Sequence, residues 1–393
     1  MLFNKKQIYF DNAATTPVDE KVVKAMVPYY AEKYGNASSQ HLLGQEAKRV
    51  IEESRSVIAK SIGAKHDEIV FTGSGTEANN FLLKGLYFYN KNKETGKNHI
   101  ITTKIEHDCV LNACKWLEKQ GAKVTYLDVD EEGFVDMNGL NNAIGDGKDV
   151  LVVSVIHGNN EIGTIQDLEE IGKICKENDV YFHTDACQSY TKVLLNVRDQ
   201  NLSFMTINSH KIHGPKGVGA LFIKEELKKQ IDPLLHGGGH EYGLRSSTEN
   251  VSGIVGFATS FKISKATDVN KMSELRDYLI EEILKIEGVR LNGSKGDKRL
   301  CNNINVSFGN IEGEALGGYL NAYGISTSTG SACSSHSLDP SHVLTALGLD
   351  HAAMNSSVRI SISKFSTMED ADYFLKILVK VVDKLRKMSP VGL

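Results

Sequence analysis

Apolar strand-like segments alternate with helix-like segments through the first two thirds of this chain. The strand-like segments are residues 68–71, 100–101, 123–129, 150–156, 180–183, 203–207 and 218–223. Amphipathic stretches typical of helices lie between several of them, at residues 76–87, 110–120 and 167–177. Strands and helices that alternate at this spacing form βαβ units, so the pattern predicts an α/β fold with a mostly parallel sheet covered by helices.

The pattern changes beyond about residue 260. Helical spacing appears at residues 272–286 and 314–323, strand-like runs at 303–308 and 358–362, and a long closing helix at 368–388. A chain of 393 residues exceeds what one hydrophobic core usually fills. The sequence therefore predicts a second, smaller α+β domain after the large one.

Composition excludes several classes of protein. The 45 Lys and Arg residues against 49 Asp and Glu residues give a net charge of −4, so a direct nucleic-acid partner is not expected. The longest apolar run, residues 150–156, is too short to cross a bilayer, and polar residues interrupt the N-terminus, so we expect no membrane contact and a cytoplasmic protein. The six cysteines form no CxxC pair, and neither a disulfide framework nor a metal site is expected.

Polar residues of particular kinds follow four of the predicted strands. Gly75 and Thr76 open a helix in a Gly-Ser-Gly-Thr turn, which suits a phosphate; His107, Asp185 and Lys211 follow other strands. Each residue alone has an ordinary structural explanation. Together they match pyridoxal phosphate, because the lysine forms the Schiff base, the histidine stacks on the ring and the aspartate keeps the pyridine nitrogen protonated. Ligands of open α/β sheets bind at the carboxyl ends of the strands, where these residues are expected.

Longer motifs resemble a known family. The chain is similar to the cysteine desulfurases of the NifS/IscS kind, in the class V branch of fold-type I pyridoxal-phosphate enzymes. The resemblance covers nearly the whole chain and is carried by YFDNAATTPV, YGNASSQH, VFTGSGTEANN, HGNNEIGTIQ, HTDACQS, SHKIHGPKGVGAL, HGGGHEYGLRSSTEN, STGSACSSHSLDPSHVLTALG and SVRISI. It implies a large domain with a mostly parallel seven-stranded sheet at residues 16–260. Residues 1–15 and 261–393 would form the small domain that carries the catalytic cysteine loop.

The resemblance also implies a role for individual residues. Lys211 would hold the cofactor, His107 would stack on its ring and transfer protons, and Asp185 would pair with the pyridine nitrogen. Gln188 would bind the phenolic oxygen. The residues around the phosphate would be Gly75, Thr76, Asn208, Ser209 and His210, with Thr248 reaching it from the second subunit of a homodimer. Asn160 and Arg359 would hold the substrate, Arg359 by its carboxylate.

Cysteine residues divide into two kinds. A free cysteine is usually a small buried hydrophobe, which we expect for Cys109, Cys114, Cys175, Cys187 and Cys301. Cys333 differs because glycine, serine and histidine surround it, a polar setting in which a thiolate forms. The resemblance makes Cys333 the nucleophile that takes sulfur from L-cysteine as a persulfide and leaves L-alanine. The long loop around it is typical of relatives that pass sulfur to a separate acceptor, such as an iron–sulfur scaffold protein.

Three other functions fit the same residues. A selenocysteine lyase would use the same cofactor site. An aminotransferase-type enzyme would leave Cys333 without a role. A sulfur-relay protein with an inactive cofactor site is less favoured, because Lys211, Asp185 and His107 are all present.

Overall fold

A seven-stranded sheet forms the centre of the larger part of the molecule. The computed structural model describes residues 7–329 and 340–388. The strands are β1 (Ile8–Tyr9), β2 (Ile69–Thr72), β3 (His99–Thr103), β4 (Lys123–Leu127), β5 (Val150–Ile156), β6 (Phe182–Asp185), β7 (Phe204–Asn208), β8 (Gly219–Ile223), β9 (Val289–Leu291), β10 (Asn303–Phe308), β11 (Ile325–Ser326), β12 (Ser328–Thr329) and β13 (Ser357–Ser361). The helices are α1 (Glu20–Met26), α2 (Pro28–Ala31), α3 (Leu42–Ser61), α4 (Gly75–Asn92), α5 (Asp108–Glu118), α6 (Met137–Ile144), α7 (Leu168–Glu177), α8 (Val251–Ile263), α9 (Ala266–Leu284), α10 (Gly313–Ala322), α11 (His342–Ala346), α12 (His351–Asn355) and α13 (Met368–Met388).

The strand order of the large sheet is β2-β8-β7-β6-β5-β3-β4. β8 runs antiparallel to both of its neighbours, and the other pairs are parallel. The predicted α/β class with a mostly parallel sheet is therefore confirmed. The carboxyl ends of β2, β3, β5, β6 and β7 meet at one edge of this sheet.

Apolar side chains cover both faces of the sheet. Along β2, Ile69 and Phe71 belong to one core cluster and Val70 belongs to another, because successive strand residues point to opposite faces. Helices α3, α6, α7 and α8 contribute to the first cluster, and α4 and α5 contribute to the second. All residues of β5 are buried, as predicted for a strand between two helical layers.

The smaller unit is built on a four-stranded antiparallel sheet in the order β12-β13-β10-β9. Helices α9, α10 and α13 pack on it, and β10 and α13 have the bounds that the sequence predicts. Ile8 and Phe10 from the N-terminal segment belong to the same core, and the Phe10 ring lies 5.5 Å from that of Phe374. This packing agrees with grouping residues 1–15 with 261–393, although the exact domain boundaries stay a prediction. Across residues 7–329 and 340–388, every helix is too short or too polar to span a membrane.

Candidate active site

The converging strand ends surround a cavity of about 320 Å³. Ten of the predicted site residues line it: Gly75, Thr76, His107, Asn160, Asp185, Gln188, Asn208, His210, Lys211 and Arg359. Ser209 is buried next to it without lining it, and Thr248 is exposed elsewhere on the surface. Cys333 lies outside the described residues. The fold therefore gathers side chains from distant parts of the chain into one pocket of a size that suits a small cofactor.

Lys211 follows β7 and extends toward the N-terminal segment. Its Nζ donates a hydrogen bond to the carbonyl oxygen of Ala13, which also accepts from Gln188 Nε2 at 2.9 Å. Lys192 links Gln188 to Lys211, because its Nζ donates to the carbonyl oxygens of Gln188 at 2.8 Å and of Lys211 at 3.3 Å. The amine predicted to hold the cofactor and the amide predicted to bind its phenolic oxygen thus share one acceptor.

Asp185 is the last residue of β6, which runs two residues further than the predicted strand at 180–183. Its side chain is 4% exposed. Oδ2 accepts from Asn79 Nδ2 at 2.7 Å, and Oδ1 accepts from the backbone N–H of Cys187 at 2.9 Å. Both donors are neutral, and no ion pair of Asp185 occurs among the described residues. A protonated pyridine nitrogen would supply the missing cation.

His107 is the N-cap residue of α5. Its Nδ1 accepts the backbone N–H of Cys109 at 3.1 Å, which is why the chain can turn from β3 into the helix at this point. Burial lowers the pKa of His107, and the nearby Lys211 ammonium lowers it further while Asp185 opposes the shift. A neutral imidazole with its hydrogen on Nε2 is therefore the favoured form.

The N-terminus of α4 forms the predicted phosphate cradle. Ser74 caps the helix by accepting the N–H of Glu77 at 3.1 Å, and Gly75 begins it. A Cβ atom at Gly75 would lie only 2.6 Å from Cys187 Sγ, so the close approach of helix and loop requires glycine there. Asn208 is 5% exposed, and its Oδ1 finds no hydrogen-bond partner among the residues described. The open N–H groups at the start of α4 fit a phosphate. Asn208 would bind one through its amide NH₂ group, because the unsatisfied Oδ1 is an acceptor and phosphate oxygens also accept.

Arg359 comes from the small unit and closes another side of the cavity. The alternating pattern of its strand alone favours a solvent-facing side chain, but the structure leaves it 4% exposed. Nη2 pairs with Asp11 Oδ1 at 2.9 Å and Nη1 donates to the carbonyl oxygen of Asn160 at 3.0 Å. Within the part of the chain described, Nε has no hydrogen-bond partner. The guanidinium is thus held in place with donor capacity left for a carboxylate.

The sequence prediction gave no site role to Asp11, Asn79, Cys109 and Lys192, each of which contacts a predicted site residue. Cys109 packs against the core that α4 and α5 share, as expected, and it also lines the cavity with its Sγ 3.0 Å from His107 Nδ1. Its position two residues after His107, in the first helical turn, is a signal that could have indicated this contact. In residues 7–329 and 340–388, no group of three or more His, Cys, Asp or Glu side chains suits a metal ion.

The fold and this cavity together define a fold-type I pyridoxal-phosphate enzyme. Lysine, aspartate, histidine and an open helix N-terminus surround the space that the cofactor needs, at the carboxyl edge of the sheet.

Comparison with known proteins identifies the family. Residues 8–374 match the class V aminotransferase family. The cysteine desulfurase IscS of Dictyoglomus turgidum is 47% identical over 98% of this chain and 97% of its own length. A solved NifS-like protein is 37% identical with a TM-score of 0.88, covering 96% of this chain and 100% of that one. SspA, solved in complex with cysteine, is 35% identical with a TM-score of 0.81, covering 92% and 100%. The chain belongs to the class V aminotransferase family and, within it, to the cysteine desulfurases, and it is a pyridoxal-phosphate-dependent enzyme.

Proposed function

We propose that this enzyme converts L-cysteine to L-alanine and transfers the sulfur to Cys333 as a persulfide. The observation that carries the proposal is the buried Arg359 in the wall of the cavity that Lys211 and Asp185 also line. It supplies a cation for an amino-acid carboxylate beside the amine that would hold the cofactor. The related SspA structure, which contains cysteine, agrees with this substrate.

Each side chain of the cavity would have its own role in the reaction. When bound, pyridoxal phosphate withdraws electrons from the α-carbon of an amino acid and so makes its α-hydrogen acidic. Lys211 would remove that proton with its Nζ, and His107 would help to transfer protons. Asp185 would hold the cofactor's nitrogen, while Arg359 and Asn160 would orient the substrate. Gln188, Asn208, His210 and the start of α4 would keep the cofactor in place. Ser209, which is buried beside the cavity, stays a predicted contact of the phosphate.

Cys333 would perform the sulfur step. Its thiolate attacks the sulfur of the substrate, the new S–S bond forms, and the C–S electron pair returns to the carbon that becomes the alanine methyl group. Two described segments support this role from either side of Cys333. Ser328 pairs with Arg359 in the small sheet, and Ser341 Oγ donates to Glu161 Oε2 at 2.6 Å, next to Asn160. The described segments that end at residue 329 and begin at residue 340 therefore both lie close to the cavity.

We also propose that the enzyme acts as a homodimer in which Thr248 completes the partner's phosphate site. Thr248 is exposed and does not line the cavity of its own chain. Two ion pairs hold the segment before it: Arg55 with Glu241, and Arg245 Nε with Glu77 Oε1 at 2.7 Å. An exposed hydroxyl on such an anchored segment is well placed to serve another subunit.

Subunit complementation tests this dimer. Thr248→Ala should weaken cofactor binding, and Lys211→Ala should abolish the visible absorbance of the bound cofactor. Co-expressed and purified as the heterodimer, the two variants have one site with both native residues, so tight binding should return in one of its two sites. Recovery in none of the sites, with a dimer present by light scattering, would place Thr248 in its own subunit's site or in no site.

The persulfide must then leave the enzyme. We propose a separate sulfur-acceptor protein, such as an iron–sulfur scaffold, and a cytoplasmic location, where thiols stay reduced. The five cysteines of the described segments are all free, in agreement with a reducing environment.

Product analysis tests the reaction itself. Purified holoenzyme with L-cysteine and a thiol reductant should release alanine and sulfide in equal amounts. Cys333→Ala should keep the visible absorbance and lose sulfide, whereas Cys175→Ala, a buried substitution in α7 away from the cavity, should keep both products. Alanine without sulfide from the native enzyme would favour an aminotransferase-type reaction. Faster turnover of selenocysteine than of cysteine would favour a selenocysteine lyase. A colourless purified protein would favour a sulfur-relay protein with an inactive cofactor site. Full sulfide release by Cys333→Ala would refute the assigned nucleophile.

A further inference from the structure

A continuous chain of hydrogen bonds joins Asp185 to His107 through two residues without an assigned role. Asn79 Nδ2 donates to Asp185 Oδ2 at 2.7 Å and to Cys109 Sγ at 3.2 Å. Cys109 Sγ in turn lies 3.0 Å from His107 Nδ1. Asn79 is fully buried on α4, and Cys109 lies on α5, so the chain of bonds crosses from one helix to the other.

The chemistry of the partners gives each bond a direction. A carboxylate only accepts, so the Asn79 amide must present its NH₂ group to Asp185, and its second hydrogen then points to sulfur. The sulfur accepts that hydrogen and also a hydrogen bond from the side chain of Thr76, so it keeps its own S–H to donate. His107 Nδ1 already accepts the backbone N–H of Cys109, so it carries a lone pair and accepts the S–H as well. Burial raises the pKa of the Cys109 thiol to about 12, which keeps that hydrogen on sulfur.

We propose that Asn79 and Cys109 are positioning residues that hold the imidazole of His107 neutral, with its hydrogen on Nε2, and tie it to the carboxylate of Asp185. The inference rests on the proposed function, in which these two groups face the cofactor. Neither residue needs to touch substrate. Each acts through the group that it binds.

Several charges act on the same imidazole. The ionisable groups near it, besides Cys109 itself, are Asp185, Lys211, Asp108, His342, Lys84, Cys187, His210, Arg359 and the neighbouring Glu106. Asp185 and Asp108 favour the protonated ring, whereas Lys211 and His342 disfavour it. Replacing the Cys109 side chain leaves all of these groups in place, so the effect of the thiol can be isolated.

A titration of His107 tests the proposal. The chain has 13 histidines, and His107→Gln identifies the ring signals of residue 107 in the NMR spectrum of ¹⁵N-histidine-labelled holoenzyme. Cys109→Ala removes a donor to the neutral ring, so the pKa of His107 should rise by about 0.5 to 1 unit, the shift expected for one net hydrogen bond. Cys109→Ser keeps a donor and should restore the native titration. Cys114→Ala, a buried thiol on the same helix that is not bonded to His107, is the matched control and should cause no shift.

A double-mutant cycle tests the link through Asn79. Asn79→Leu should raise the pKa of His107 by less than Cys109→Ala does, and the double variant should shift it by less than the sum of the two. Strict additivity, an unchanged titration in Cys109→Ala, or an equal shift in Cys109→Ser would overturn the proposal. The titration requires no turnover, so native enzyme that fails to release alanine and sulfide would refute the proposed function while leaving this result intact.

Discussion

Gly75 offers a sharp test of how the phosphate cradle is built. An added Cβ would lie 2.6 Å from Cys187 Sγ, whereas carbon and larger atoms normally approach to about 3.5–4.0 Å. Either the first turn of α4 or the Cys187 side chain must therefore move by about 1 Å in Gly75→Ala. Overpacking of this kind costs about 1–3 kcal/mol, which corresponds to roughly 5- to 150-fold weaker cofactor binding if the strain appears in the bound state.

The assay is a fluorescence titration of cofactor-free protein with pyridoxal phosphate, together with the melting temperature. Cys187→Ala removes the sulfur that the new methyl group would meet, so the double variant Gly75→Ala/Cys187→Ala should recover most of the lost affinity. Gly318→Ala is a matched control on α10, because nothing lies within 4 Å of a Cβ atom at that position. It should bind the cofactor as the native protein does.

Two results would refute this reasoning. Native affinity in Gly75→Ala would mean that the helix and the loop adapt without strain. An equally weak double variant would mean that the glycine is needed for backbone freedom or for direct contact with phosphate, and not for the approach to Cys187.

Three further substitutions test other parts of the structure. Glu241→Ala leaves the buried guanidinium of Arg55 without the carboxylate that it meets at 2.6 and 2.8 Å, so the melting temperature should fall by several degrees. Arg55→Met with Glu241→Leu should recover only part of it, because the backbone N–H of Phe71 still lacks the Glu241 oxygen that accepts it at 2.8 Å. Burial raises the pKa of Glu106 from 4.5 to about 8, so the folded protein loses stability as the pH rises through this range. Glu106→Gln should remove that loss, and its melting temperature should exceed that of the native protein by an amount that grows between pH 5 and 8. A constant difference between the two melting temperatures would contradict the assignment. Lys192→Met removes the ammonium that joins the carbonyl oxygens of Gln188 and Lys211, so the Kd for pyridoxal phosphate should rise roughly 5- to 10-fold. Lys192→Arg should cause a smaller rise. Equal binding by the native protein and both variants would mean that Lys192 does not contribute to cofactor binding.

Regular elements with a strong pattern were predictable from the sequence. β5, β10 and α13 have the predicted bounds, because an unbroken apolar run or a sustained 3.6-residue period leaves few alternatives. The predicted list lacks α3 and α8. The buried face of α3 includes the polar residues Ser54 and Arg55. Helix α8 is buried on most sides and therefore shows no clean amphipathic stripe. The short strands β1 and β11 pair only with each other, a contact between residues more than 300 positions apart.

Some residues of the candidate site were predictable from the sequence and others were not. Lys211, Asp185 and the Gly75 turn follow strands, so the rule that parallel strands gather their carboxyl ends predicted one shared pocket. Asn79 and Cys109 could not be predicted as partners, because their contact depends on how two helices pack. Arg359 shows the limit most clearly, since its strand pattern allows a side chain in water, whereas docking of the small unit buries it beside Asp11.

By itself, the sequence determined the order of strands and helices, the α/β class and the chemical groups available for catalysis, because periodicity and residue type are local properties. Only the tertiary structure decided which of these groups meet. Hydrogen bonds between residues 79, 109, 185 and 107, and the ion pair between residues 11 and 359, depend on distances across the fold that no local pattern specifies.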